Sequence, residues 1–105
     1  MADTKTETTT RPRIEPKLDL KPPTLFKIIY INDEVTTMEF VIESLRSVFD
    51  YEADDAHALC LQVHEEGSAV VATLPYEVAE QKGIEVTILA RNNGFPLQVK
   101  LEPDN

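Results

Sequence analysis

The sequence predicts an α+β fold: a single small domain in the order β-α-α-β-α-β, a three-stranded antiparallel sheet packed against three helices, with a disordered N-terminal tail. Two observations carry the fold. From Leu25 onward the apolar residues switch between alternation and helical spacing at breaks marked by Asn-Asp, Gly or Pro. The chain has 105 residues, the length of one domain, and a unit of that size buries a core without disulfides or metal. The tail rests on a third observation. Residues 1 to 24 include TKTETTTRPR, show no sustained apolar period and close on the stiff pair Pro22-Pro23, so residues 25 to 105 form the domain.

LFKIIYI (Leu25 to Ile31) is rich in aromatic and β-branched residues and too short for an average helix, so it reads as a strand. The Asn-Asp turn ends it. Thr36 with Glu39 forms a capping-box pattern, and Met38, Val41, Ile42, Leu45, Val48 and Phe49 follow at helical spacing, predicting a first helix over roughly residues 37 to 49. Ala53, Ala56, Leu59, Cys60 and Val63 repeat the pattern, and Gly67 stands where a left-handed C-terminal cap belongs. SAVVATL is a β-branched strand. Pro75 then opens a third helix, read through Val78, Ile84, Ile88 and Leu89 and ending at NNG. In PLQVKLE the alternation of Leu97, Val99 and Leu101 predicts the closing strand.

Composition narrows the function. Hydrophobic residues at 42% and charged residues at 28% are ordinary for a globular domain. With 19 acids against 10 Lys plus Arg the net charge is -9, so nucleic acid and anionic membrane surfaces are poor partners. The charge is uneven: residues 1 to 24 carry +1 and the rest -10. One Cys cannot form an internal disulfide, and no leader pattern or membrane-length apolar run is visible. The expectation is a reducing, cytoplasmic compartment.

Four features bear on chemistry. Asn32, Asp33 and Glu34 place acceptor oxygens between the first strand and the first helix, where they suit a cation or ammonium group or simply make the turn. His57, Cys60 and His64 are spaced three and four apart, but the histidines lie about 10.5 Å apart along the helix axis, so the three cannot converge on one metal ion. A thiol or serine nucleophile with His64 as base and Asp33 as orienter lacks a nucleophile elbow, a Cys-His signature or a phosphate loop, so no catalytic site, metal or cofactor is assigned. Met38, Val41, Val63 and Leu97 form an apolar set that serves equally as core or as pocket.

The run KPPTLFKIIYINDEVTTMEFVIESLRSVFDYEADDAHALCLQVHEEGSAVV, followed by YEVAEQK and FPLQVKLE, resembles ClpS, the family of adaptors that deliver proteins with destabilising N-terminal residues to a Clp AAA+ unfoldase. IND, TMEFV, VHEEG and EVAEQK are its most specific parts, and the likeness spans about residues 21 to 102. The resemblance implies that Asn32, Asp33, Glu34 and His64 hold a substrate's free α-amine. An ammonium has three donors and a positive charge, for which amide oxygen, carboxylate and neutral imidazole are fitting acceptors. It further implies a pocket for the first side chain (Leu, Phe, Tyr or Trp) at Thr36, Met38, Val41, Cys60, Val63 and Leu97, with Met38 as the gate against β-branched residues. Burying such a side chain is worth roughly 1.5 to 3 kcal/mol. Glu77 and Lys82 correspond to the unfoldase interface; offset by about 140° around a helix, they need not pair with each other. The tail resembles the extension that the unfoldase engages during handover.

This chain departs from the family pattern at Glu34, where a second Asp is common, at Thr37, a usual Pro, and at Cys60, where Met is common. Gly83 inside the third helix is expected to cost about 1 kcal/mol relative to Ala. The resulting expectation is a monomeric, non-enzymatic, cytoplasmic adaptor. Its partners are N-degron polypeptides and the N-terminal domain of a ClpA-like or ClpC-like unfoldase, and it has no nucleic-acid or membrane partner. The rival is a structural assembly module resembling the ribosomal stalk C-terminal domain, which predicts no dependence on a free α-amine.

Overall fold

Strand β1 (Leu25–Ile31) is the middle of a three-stranded antiparallel sheet of order β2-β1-β3, with β2 spanning Ser68–Pro75 and β3 Gln98–Pro103. Helices α1 (Met38–Phe49), α2 (Ala53–Glu66) and α3 (Tyr76–Asn92) complete the predicted order. The computed structural model describes residues 24–105; apart from Thr24, the tail expected over residues 1 to 24 lies outside them.

The sheet alternates as its sequence predicts. Ile28 and Tyr30 of β1 are fully buried, and Ala69 and Val71 of β2 join them in the core. A bulge in the β1–β2 register between Ile28 and Ile29 places Val71 between Val70 and Ala72, which pair with Ile29 and Ile28. The Tyr51 hydroxyl, from the connection between α1 and α2, donates to the Val71 carbonyl.

Helix α1 starts one residue later than the capping box suggested. Thr37, not Thr36, is the N-cap, and its hydroxyl accepts the Phe40 N–H at 3.1 Å. Thr36 is held instead by Asp33. Phe40, Val41, Ser44, Leu45 and Val48 form the buried face. Ser44 is the buried polar residue of this core, and it is satisfied: its hydroxyl donates to the Val41 carbonyl at 2.8 Å, so the Tyr30 hydroxyl, also at 2.8 Å, is the donor to Ser44. Burial pushes the Tyr30 phenol upward against the smaller opposing effect of that bond, which keeps it a neutral donor. Helix α2 carries Asp54 and Asp55 in its first turn, favourable to the helix dipole, and ends on Gly67 in the left-handed region at φ 89°.

Helix α3 forms where the sequence predicts it, through Val78, Ile84, Ile88 and Leu89, but of these only Leu89 packs partly against the core, and Val78, Ile84 and Ile88 are 44%, 54% and 56% exposed. The buried residues are Ala79, Gly83, Val86 and Ala90, spaced four, three and four apart on the opposite side. Small side chains on this seam bring the helix close to the sheet: a Cβ on Gly83 would touch Val99 and Leu101 side chains at 3.7 Å. Ile84 and Ile88 consequently line an open groove with Val99 and Leu101 of β3.

Candidate functional site

The sheet register gathers the site. Ile31, the last residue of the central strand, pairs with Ser68 on one side and Gln98 on the other, the first residues of the two edge strands. The chain leaving β1 at Asn32 therefore meets the end of α2, just before Ser68, and Leu97, just before Gln98. The Asn32 N–H donates to the Gly67 carbonyl at 2.9 Å, fixing the loop to the α2 cap. Asn32, Asp33, Glu34, Thr36 and Met38 follow one another along this loop into α1, while Cys60, Val63 and His64 arrive on the second half of α2.

Asp33 organises the loop. Its Oδ1 accepts the N–H groups of Val35 at 2.8 Å and Thr36 at 2.7 Å, and Oδ2 accepts the Thr36 hydroxyl at 2.7 Å. A carboxylate has about four acceptor positions, so about one is left for a ligand. Partial burial pushes this carboxyl up. The Thr36 backbone and hydroxyl, the Val35 N–H and the positive charge of Arg91 outweigh that effect and hold it below its ordinary value of 3.8. The carboxylate is thus half-buried and ionised, and Asn32, Glu34 and His64 are exposed.

Val41, Cys60, Val63 and Leu97 are between 1% and 6% exposed and belong to the core cluster. Met38 is 37% exposed and Thr36 half-buried. The Cys60 thiol donates to the Met38 carbonyl across 3.6 Å, joining the middle of α2 to the first residue of α1. Burial pushes this thiol up, away from the reactive thiolate. It also separates buried Cys60 from exposed His57 and His64, and among the described residues no group of three His, Cys, Asp or Glu could hold a metal ion.

Glu77 and Lys82 lie apart from this cluster, on α3. Glu77 is exposed in the first turn. Lys82 is more than a solvated charge: its ammonium donates to the Val48 carbonyl in the last turn of α1 at 2.9 Å and stands 4.0 Å from Glu85. Arg91 escaped the sequence reading. From the last turn of α3, its Nη1 donates to the carbonyls of both Phe95 and Leu97 at 2.9 Å. The only sequence signal was a cation near a helix C-terminus, which is common.

The chain is similar to proteins named as adaptors of an ATP-dependent Clp protease. The family model for "ATP-dependent Clp protease adaptor protein ClpS" matches residues 21–100. Proteins called ATP-dependent Clp protease adapter protein ClpS are similar along most of their length. The one from Sodalis glossinidius is 45% identical over 83 residues, 79% of this chain and 78% of its own. The one from Acetivibrio thermocellus is 40% identical over 90 residues, 86% of this chain and 91% of its own. In structure, Agrobacterium tumefaciens ClpS2 bound to L-phenylalaninamide matches with a TM-score of 0.77 and 37% identity, covering 79% of this chain and 100% of that one. The chain belongs to the ClpS family. These relatives are named as adaptors of the protease, and among the described residues no helix is long and apolar enough to cross a membrane.

Proposed function

We propose that this chain binds the free α-amine and the large hydrophobic first side chain (Leu, Phe, Tyr or Trp) of N-degron polypeptides and delivers them to a Clp AAA+ unfoldase, which supplies the ATP hydrolysis. The observation that carries the reading is the ligand of the Agrobacterium relative, phenylalaninamide. It combines a free α-amine and an aromatic side chain with an amide where a peptide would continue.

The local chemistry supports each role. The ammonium is held by the Asn32 amide oxygen, the remaining acceptor position and full charge of Asp33, and a ring nitrogen of His64, with Glu34 contributing charge from the loop. The first side chain enters over Thr36 and Met38 toward Val41, Cys60, Val63 and Leu97. Because that floor is nearly closed, Met38 swings aside to admit a flexible, unbranched Cβ and excludes Ile and Val. The amine sets register and the pocket sets selectivity. Glu77 offers a free carboxylate to the N-terminal domain of a ClpA-like or ClpC-like unfoldase, while Lys82 contributes from a position fixed by Val48. The adaptor acts as a cytoplasmic monomer, and residues 1 to 24 are engaged by the unfoldase during handover.

Fluorescence anisotropy with a labelled Leu-first peptide tests this reading beside N-acetylated, Ile-first and Glu-first versions. Micromolar or tighter binding of the free Leu peptide is expected, lost on acetylation and on Asn32→Ala. If no free N-terminus binds, the fold has been kept without this chemistry, and an assembly module becomes the account to pursue.

A further inference from the structure

We infer that Arg91 is a positioning residue that sets the side-chain wall of the binding site by pinning the loop between α3 and β3. The inference rests on the N-terminal recognition proposed above. Arg91 is exposed, yet one of its nitrogens bridges two carbonyls two residues apart, Phe95 and Leu97, each at 2.9 Å. Nη1 carries two N–H groups, one for each carbonyl, on a planar guanidinium that holds them in a fixed direction.

The pinned loop reaches the site in two places. The Phe95 ring packs on Phe40 with centroids 5.1 Å apart, and Phe40 lies in the first turn of α1, two residues after Met38, its N–H accepted by the Thr37 hydroxyl. Leu97, 1% exposed, leads directly into Gln98, the partner of Ile31, and Asn32 follows Ile31. The Phe95 N–H also donates to the Ala90 carbonyl at 2.8 Å, so the loop folds back on α3 at the same point. One exposed side chain thereby holds the Leu97 carbonyl and the loop whose Phe95 ring packs on Phe40, and its charge acts on Asp33 as well.

The test measures, in the full chain, the affinity ratio of a Leu-first over an Ala-first peptide, both with a free amine, so that the ratio reports the side-chain wall and the Ala-first affinity alone reports the amine acceptors. The ratio is independent of the fraction of protein folded, so a merely structural loss leaves it unchanged, and a change in the charge felt by Asp33 moves both peptides alike. Arg91→Ala is expected to lower the Leu-over-Ala ratio about tenfold, and Arg91→Lys to fall between Arg91→Ala and wild type. An undiminished Leu-over-Ala ratio in Arg91→Ala, whether or not both affinities fall in parallel, overturns the inference alone. Failure of the wild-type chain to bind any free-amine peptide overturns the recognition reading, and this inference with it.

Discussion

Replacing Asp33 by Asn separates charge from shape at the proposed amine site. Asn retains a carbonyl oxygen for the Val35 and Thr36 N–H groups that Oδ1 now accepts, and the Thr36 hydroxyl can turn to accept from the new amide. The loop keeps its form and loses charge assistance, a change of roughly 1 kcal/mol in stability. Asp33→Ala removes all three acceptor contacts and costs roughly 1.5 to 3 kcal/mol, a drop in Tm on the order of 10 °C for a domain this small. Binding responds differently. A unit charge facing an ammonium at about 4 Å contributes about 1 kcal/mol in water and about 4 at an effective dielectric of 20. A middle value of about 2 kcal/mol corresponds to about thirtyfold in affinity. Asp33→Asn is therefore expected to melt within about 5 °C of wild type and to bind a Leu-first peptide about thirtyfold more weakly, read by thermal melts and anisotropy on the same samples. Wild-type affinity in Asp33→Asn would refute a direct electrostatic role for this carboxylate. The pH dependence follows from its depressed folded pKa. Its contribution to stability is complete above the ordinary carboxyl value of 3.8 and is lost as pH falls through the lower folded value. Between pH 8 and 5 Asp33 stays ionised, so a change in affinity there belongs to another group.

His64→Ala removes the proposed imidazole acceptor and is expected to weaken binding of a Leu-first peptide about tenfold by anisotropy; wild-type affinity in that variant excludes the role. Met38→Ala is expected to admit Ile-first and Val-first peptides that wild type rejects, and continued rejection in the anisotropy assay removes Met38 as the gate. In the core, Ser44→Ala strands the Tyr30 hydroxyl and should cost roughly 1 to 3 kcal/mol in urea unfolding, whereas Tyr30→Phe combined with Ser44→Ala should cost less than Ser44→Ala alone. Additive effects would show that the pair does not interact. Gly83→Ala should raise stability by roughly 0.5 to 1 kcal/mol, because the new methyl meets Val99 and Leu101 at ordinary contact distance. A lower Tm would mean that α3 cannot tolerate even this group against the sheet.

The strands and the first two helices were legible because the residues that set their apolar pattern, among them Ile28 and Tyr30, Val41 and Leu45, and Ala56, Cys60 and Val63, are the ones that are buried. Helix α3 was legible as a helix but not in its orientation. It packs through Ala79, Gly83, Val86 and Ala90, whose value lies in small size and close approach, while the larger Ile84 and Ile88 face outward. The helix start was misplaced by one residue because Thr36 and Thr37 are both capable caps, and only the competing pull of Asp33 on Thr36 decides between them. Periodicity identified Leu97 and Val63 as apolar without placing them beside Asn32; that proximity arises from a register in which Ile31 meets Ser68 and Gln98. The carbonyl contacts of Arg91 and Lys82 were hidden for a related reason. Each acts on carbonyls whose position depends on tertiary packing, and residue type alone does not select them from other surface cations.

The placement of β3 beside β1 has a consequence for synthesis of the chain. Strand β1 emerges from the ribosome early, but its edge remains open until residues through Pro103 are available to pair with it. Leu97 and the loop held by Arg91 reach Asn32 only through that pairing. A nascent chain stopped after α3 has made nearly every proposed binding residue and still lacks one wall of the site. Competence to capture a peptide should therefore appear late and abruptly during translation, leaving little opportunity for a half-made adaptor to seize a substrate that it cannot hand on.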